Sequence, residues 1–210
     1  MTPEPLLLLG TSNRKKGAEL ADLFQGARLG IRCRTLADVE NPITVVEDGS
    51  TFAENAAKKA TGQARHLGLW VLAEDSGLVV DALGGAPGVF SARYCGPDAT
   101  DASNNRRLLA ELAGTPPEKR SAGYVCHMTL ADPAGTIRAE SEGTCRGRIA
   151  IEPRGTHGFG YDPLFELLEY HRTFGELGPN VKSVLSHRAS AARRLIPALR
   201  RLIDCGVLRT

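Results

Sequence analysis

Aromatic residues are scarce in this chain, at 5% of 210 positions, so whatever core it builds must be largely aliphatic. Charge of one sign is also missing. A formal net charge of +2 gives no global basic surface and argues against a protein that coats nucleic acid. The five cysteines, Cys33, Cys95, Cys126, Cys145 and Cys205, are odd in number and include no Cys-x-x-Cys pair, which disfavours a thiolate metal site or a redox couple. They read as reduced, mostly structural thiols. The apolar run Leu6 to Leu9 is too short for a membrane helix or a signal sequence, and Met1-Thr2-Pro3-Glu4-Pro5 carries no basic leader. The expectation is a cytoplasmic protein with no membrane partner. No internal repeat or low-complexity tract interrupts the chain.

What is present is an α/β pattern. Hydrophobic residues at 42% and charged residues at 24% describe a globular composition, and one domain over 1–210, built in two lobes, accommodates the length. Leu6 to Leu9 reads as a buried strand ended by Gly10 and Thr11. A helix follows, capped by Asn13, with Leu20, Leu23 and Phe24 on its apolar face. Thr51-Phe52-Ala53-Glu54 fits a capping box ahead of a second helix carrying Ala56, Ala57, Ala60 and Ala64. A third helix spans Asp101 to Leu112. Ser121 to Leu130 and Thr136 to Cys145 read as a hairpin around Asp132-Pro133-Ala134-Gly135. A last helix runs from near Leu185 towards Cys205, with Pro197 expected to kink or divide it.

Four segments can carry chemistry. In Ala73-Glu74-Asp75-Ser76-Gly77, directly after Leu69-Trp70-Val71-Leu72, two carboxylates arrive where a strand is expected to end and a glycine turn to begin. Adjacent carboxylates repel unless a cation or proton lies near, and one can then serve as a base for water; the same run also fits a polar turn. Thr11-Ser12-Asn13-Arg14-Lys15-Lys16 combines hydroxyls, an amide, helix-start N–H groups and three cations. That is a phosphate grip, or else a capped helix with solvated lysines. His157-Gly158-Phe159-Gly160-Tyr161-Asp162-Pro163 sets a ring between two glycines, where a flat ligand could approach, although Phe159 and Tyr161 could equally cover a core. Lys182, His187 and Arg188, in Lys182-Ser183-Val184-Leu185-Ser186-His187-Arg188, offer hydrogen-bond donors at a helix entrance or a solvated helix start.

Together and in this order the segments resemble the inosine triphosphate pyrophosphatase family, the noncanonical purine nucleoside triphosphate pyrophosphatases that include dITP/XTP pyrophosphatases. The resemblance runs from Thr11-Ser12-Asn13 with Lys16 and Glu19, through Glu47, Thr51-Phe52, Glu54-Asn55 and Asp75-Ser76-Gly77. It continues through Gly84-Gly85-Ala86-Pro87-Gly88, Ser91-Ala92-Arg93-Tyr94 and Gly158 to Pro163, and ends at Lys182 and Ser186-His187-Arg188. It implies an elongated mixed β-sheet flanked by helices, two lobes with a central active-site cleft, and a homodimer. It further implies hydrolysis of a nucleoside triphosphate between the α and β phosphates. By the matching positions, Thr11, Ser12, Asn13, Arg14, Lys15 and Lys16 would bind triphosphate, and Glu47 and Asp75 would hold Mg2+. Asp75 would be the general base, Ser76 would contact substrate, and Phe159, Gly160, Tyr161, Asp162, Lys182, His187 and Arg188 would line the base pocket.

This chain departs from the family pattern at His157, where a glycine is expected, at Glu74, where aspartate is frequent, at Val46 and over 177–181. A triphosphate with about four negative charges needs a hard cation near Glu47 and Asp75, consistent with the implied magnesium. A 6-oxo purine offers an acceptor to Lys182 or Arg188, whereas adenine offers a donor. ITP, dITP and XTP are therefore the expected substrates, in a role that sanitises the nucleotide pool. A pyrophosphatase for pyrimidine or modified nucleotides and a non-catalytic nucleotide sensor are the alternatives.

Overall fold

A computed structural model describes residues 4–208; the start Met1-Thr2-Pro3, on which the leader reading partly rests, lies outside the described residues. Among the described residues seven strands are present: β1 (Leu6–Leu9), β2 (Arg32–Thr35), β3 (Val71–Val80), β4 (Ser121–Ala131), β5 (Ile137–Ile149), β6 (Phe165–Leu167) and β7 (Arg172–Thr173). Six helices accompany them: α1 (Arg14–Gly26), α2 (Phe52–Leu67), α3 (Asp101–Glu111), α4 (Phe174–Leu177), α5 (Pro179–Leu185) and α6 (His187–Asp204). The strands form one mixed sheet in the order β2-β1-β3-β4-β5-β6-β7. β1 is parallel to both β2 and β3, whereas β6 is antiparallel to β5 and β7. The chain divides into two compact units, residues 4–75, 126–143 and 188–208 in the first and 76–125 and 144–187 in the second. Among the described residues no helix is long and apolar enough to cross a membrane.

The first unit is wound on both sides of β1. Side chains alternate along a strand, so Leu7 and Leu9 share one face and Leu8 takes the other. Leu7, Leu9 and Leu72 pack with Leu20 and Phe24 of α1 and with Ala191, Ala192, Leu195 and Leu199 of α6. Leu8, Val71 and Ala73 pack instead with Ala60 and Ala64 of α2. Helices α1 and α2 thus cover opposite faces, and the carboxyl end of β1 lies where the chain changes sides. Open α/β sheets place ligands at such a point. Gly10, at the end of β1, keeps the two strands close: its N–H donates to Leu72 O at 2.7 Å, and an added Cβ would lie 2.9 Å from the Ala73 Cβ.

The second unit has its own core of Leu78, Val80, Leu108, Leu112, Tyr124, Phe165 and Phe174. Tyr124 and Phe165 approach to 4.6 Å between ring centroids, and Phe165 stacks on Phe174 at 5.5 Å. Arg120 is buried here, its guanidinium donating to the carbonyls of Leu112, Thr115 and Ala150, so a charged side chain closes the ends of three chain segments.

Two expectations are corrected. No turn follows Asp75: β3 runs unbroken from Val71 to Val80, because the apolar residues on both sides of Asp75-Ser76-Gly77 are buried in a sheet interior that overrides local turn preference. The last helix runs close to where it was expected, from His187 to Asp204. Ser186 is extended, with φ of -69° and ψ of 158°, and separates α5 from α6. Pro197 does not divide α6, since it lies with Arg193 on the exposed face and the lost backbone bond falls outside the core, between buried Leu195 and Leu199. The short strands β2, β6 and β7 lacked a legible pattern, and β5 extends past Cys145 to Ile149. Gly10→Ala is expected to lower stability by ~1–3 kcal/mol through overpacking between β1 and β3; an unchanged denaturation midpoint would show that the strands can part at no cost.

Candidate active site

The turn after β1 is organised by its own side chains. Asn13 caps α1: its Oδ1 accepts from the backbone N–H of Lys15 at 3.0 Å and of Lys16 at 3.2 Å. Thr11 Oγ1 in turn accepts from the Asn13 N–H at 3.1 Å. Ser12, Arg14 and Lys15 are exposed, while Lys16 is half-buried and extends its ammonium to 3.4 Å from Glu74 Oε1. Helix-start amides with adjacent cations suit a phosphate.

Glu74 and Asp75 are neighbours in β3 and therefore project from opposite faces of the strand. Glu74 is 3% exposed and meets Arg188, whose Nε and second amino nitrogen donate to Oε1 at 3.2 and 2.8 Å. Arg188 also donates to Glu19 at 2.5 Å. The Cys126 thiol donates to the other Glu74 oxygen at 3.0 Å. Burial opposes ionisation of Glu74, but the charges of Arg188 and Lys16 outweigh it and hold the carboxyl well below its usual range. Cys126 is pushed well up, by burial and by the Glu74 charge, and stays a neutral donor.

Asp75 belongs to a different cluster. Its Oδ1 lies 3.0 Å from Lys59 Nζ, and its Oδ2 accepts from Asn55 Nδ2 at 3.2 Å. The same Lys59 ammonium lies 2.8 Å from Glu47 Oε2. Burial raises the Asp75 pKa despite Lys59, whereas Glu47, also penalised by burial, is lowered by its contact with Lys59. The two carboxyls are thus pushed apart, with Asp75 the stronger proton acceptor. The Glu47 segment is pinned to α2. Gln63 bonds both backbone groups of Ile43, Asn55 Oδ1 accepts from Gly49 N–H at 2.8 Å, and Lys58 pairs with Asp48.

No three His, Cys, Asp or Glu side chains gather as a metal centre among the described residues. The Glu47–Asp75 pair nevertheless fits a hard divalent cation. Both donors are carboxylate oxygens, both already face one positive charge in Lys59, and magnesium is commonly held by one or two carboxylates with phosphate oxygens and water completing the shell.

In the second unit the 157–163 segment folds into a tight turn. Asp162, 1% exposed, accepts from Phe159 N–H at 2.9 Å and from Lys182 Nζ at 2.6 Å. Lys182 Nζ also stands 4.0 Å from the centre of the Phe159 ring. A Cβ at Gly158 would fall 2.0 Å from Asp162 Oδ2, so the turn closes only over glycine. Tyr161 is buried in the core and donates to Ser91 O at 2.8 Å, while His187 stacks on Tyr124 at 4.6 Å. Ser76 is half-buried in β3, and His157 is exposed, its ring beside Gly178. Phe159, Asp162 and Lys182 are therefore brought together, whereas Arg188 is engaged in the first unit with Glu74 and Glu19.

Sequence reasoning passed over Lys59 and gave Asn55 no role in the site. The signal was there: Asn55, Lys59 and Gln63 recur every fourth residue, one polar stripe on a helix otherwise faced with alanine. The pairing of Glu74 with Arg188 was not foreseen, because the two lie over a hundred positions apart in sequence.

Removing one partner of a buried ion pair leaves the other uncompensated, and Glu74→Gln is expected to lower stability by ~3 kcal/mol near pH 7. The fold lowers this carboxyl's pKa, so its contribution is full above the unfolded value of about 4.3 and vanishes as pH falls through the folded value. Denaturation at several pH values should show the gap between variant and wild type closing in acid; a gap independent of pH would contradict the ion-pair account.

The chain is similar to known proteins over most of its length. The model of the Ham1 family matches residues 7–198. A dITP/XTP pyrophosphatase of Rhodopirellula baltica is 55% identical over 198 residues, covering 94% of each chain. One from Geobacillus kaustophilus is 49% identical, covering 90% of this chain and 91% of its own. The solved structure of a HAM1 protein from Coxiella burnetii superposes with a TM-score of 0.85 at 38% identity, covering 94% of this chain and 99% of that one. With a family match over most of its length and the same fold in a solved relative, this chain belongs to the Ham1 family.

Proposed function

We propose that this protein hydrolyses noncanonical purine nucleoside triphosphates, ITP, dITP and XTP, to the monophosphate and pyrophosphate. The relatives named dITP/XTP pyrophosphatase support the reaction and its substrate class. The observation that carries the chemistry is Asp75, a buried carboxylate with a raised pKa, oriented by Asn55 and set beside Glu47 and Lys59.

The amides at the start of α1, with Thr11, Ser12, Asn13, Arg14, Lys15 and Lys16, hold the triphosphate. Glu47 and Asp75 hold magnesium, which when bound supplies positive charge to the phosphates and makes water a better nucleophile. Asp75 accepts the proton of the attacking water, its acceptor lone pair fixed by the Asn55 amide. Lys16 stabilises the charge that develops on pyrophosphate as it leaves the α-phosphorus. Lys59 keeps Glu47 and Asp75 ionised side by side before substrate arrives.

Phe159, Gly160, Tyr161 and Asp162, with Lys182 and His187 and with Ser76 at the substrate, form the proposed base-binding set, whereas Arg188 is committed to Glu74 and Glu19. Phe159 offers a ring face and Lys182 a donor for a 6-oxo group, which suits hypoxanthine and xanthine and leaves the adenine amino group facing a donor. The assembly is a homodimer in the cytoplasm, a setting that five unpaired cysteines suit.

Pyrophosphate release from ITP and ATP, with and without magnesium, tests the reading. Magnesium-dependent release from ITP, with little from ATP, is expected, and Asp75→Asn should lower turnover by ~10²–10⁴ while remaining folded. Equal turnover of ATP would remove the base selectivity, and a fully active Asp75→Asn would remove Asp75 from the role of base.

A further inference from the structure

The turn that carries Phe159 and Asp162 is gripped by α3. Gly160 has its N–H donating to Asp101 Oδ2 at 2.8 Å and its carbonyl accepting from Asn105 Nδ2 at 3.0 Å. Asp101 and Asn105 are four residues apart on α3 and so lie on one helical face, one turn above the other. A single residue of the turn is therefore held at both of its polar backbone groups by one helix. The adjacent Asn104 is buried and faces another segment of the same unit, donating to Ala92 O at 3.1 Å and accepting from Cys95 N–H at 2.8 Å. Tyr161 reaches that segment as well, through Ser91 O. The first turns of α3 thus act as a template against which 91–95 and 159–161 are both set.

We propose that Asp101 and Asn105 are positioning residues for base selectivity: by fixing Gly160 they fix the Phe159 ring and the Asp162 carboxylate on either side of it. The inference rests on the reading above, in which Phe159, Asp162 and Lys182 meet the base. The physical need is plain in the turn itself. Gly158 and Gly160 have φ of 81° and 62°, conformations open to glycine and easily exchanged for others once nothing holds them. Asp162 ties the Phe159 N–H and Lys182, while α3 holds Gly160 at both of its backbone groups. A carboxylate at 101 is an acceptor only, and its bond to an N–H is of the stronger charge-assisted kind. Neither residue needs to touch the substrate to decide where the ring and the carboxylate stand.

The test combines ITP and ATP kinetics with amide hydrogen exchange over residues 158–162 in wild type, Asp101→Ala, Asp101→Asn, Asn105→Ala and Lys182→Ala. Asp101→Ala is expected to raise KM for ITP by roughly ten- to hundredfold with kcat little changed, as misplacement of binding groups does. It should also narrow the ITP-to-ATP preference and speed exchange across the turn. Asp101→Asn keeps an acceptor oxygen and should recover most of the wild-type behaviour, which a general loss of stability would not produce. Asn105→Ala carries the same expectation and serves if Asp101→Ala does not fold. Wild-type KM, preference and exchange in either folded alanine variant would overturn the proposal. If Lys182→Ala abolishes the preference while Asp101→Ala and Asn105→Ala keep it, the base reading stands and the positioning role falls. If Lys182→Ala keeps the preference, the base reading falls and takes this inference with it.

Discussion

Two carboxylates in consecutive positions of a buried strand cannot share a face, and the rest of the candidate site is arranged around that constraint. Glu74 turns towards the side occupied by α1 and α6, Asp75 towards α2. Each must find its own cation, because a lone buried charge costs several kcal/mol. Arg188 and Lys16 answer the first, Lys59 the second. One side becomes a fully paired ionic lock of low proton affinity, and the other a carboxylate that burial leaves ready to accept a proton. Structural and chemical duties are divided between neighbouring residues by the pleat of a strand.

The lock also connects parts of the chain that have little else in common. Arg188 begins the long α6, Glu19 lies in the second turn of α1, and Cys126 starts the first-unit portion of β4. Four elements thus converge on one carboxylate. Lys16 belongs to both sides of the arrangement: it contacts Glu74, and its charge lowers the pKa of Glu47 and offsets part of the rise at Asp75. A phosphate arriving at α1 would meet a lysine already held in place, with less conformational entropy to lose on binding.

Much of this was legible in the residues. Leu6–Leu9, the Asn13 cap, the Thr51 cap and the 121–145 hairpin follow from local patterns that tertiary packing reinforces. At Thr51 the agreement is partial, since Glu54 turns its carboxylate mainly to Ser50. The Asp-Ser-Gly turn failed because turn propensity is weak beside burial on both sides of it. Strands of two to four residues such as β2, β6 and β7 are too short to display a period. For the site, dispersed family motifs pointed to Asp75, Glu47 and Lys182, but partnership is long-range and unwritten in local sequence. Arg188, expected at the base, pairs with Glu74; Lys59 and Asn105, and the partners of Asn55 and Asp101, entered only when helix faces could be seen.

Cys126, neutral and sealed against Glu74, has a chemical corollary for the other thiols. Thiol reagents attack the thiolate, so a buried sulfur with a raised pKa reacts last. Cys33 and Cys145 are likewise shifted up by burial, each to about 11, which leaves the exposed Cys95 and Cys205 as the reactive sulfurs. One belongs to the second unit and the other to the first. The native chain therefore carries a single addressable attachment point on each of its two bodies, enough to mount a matched pair of fluorophores or spin labels without altering a residue of the site.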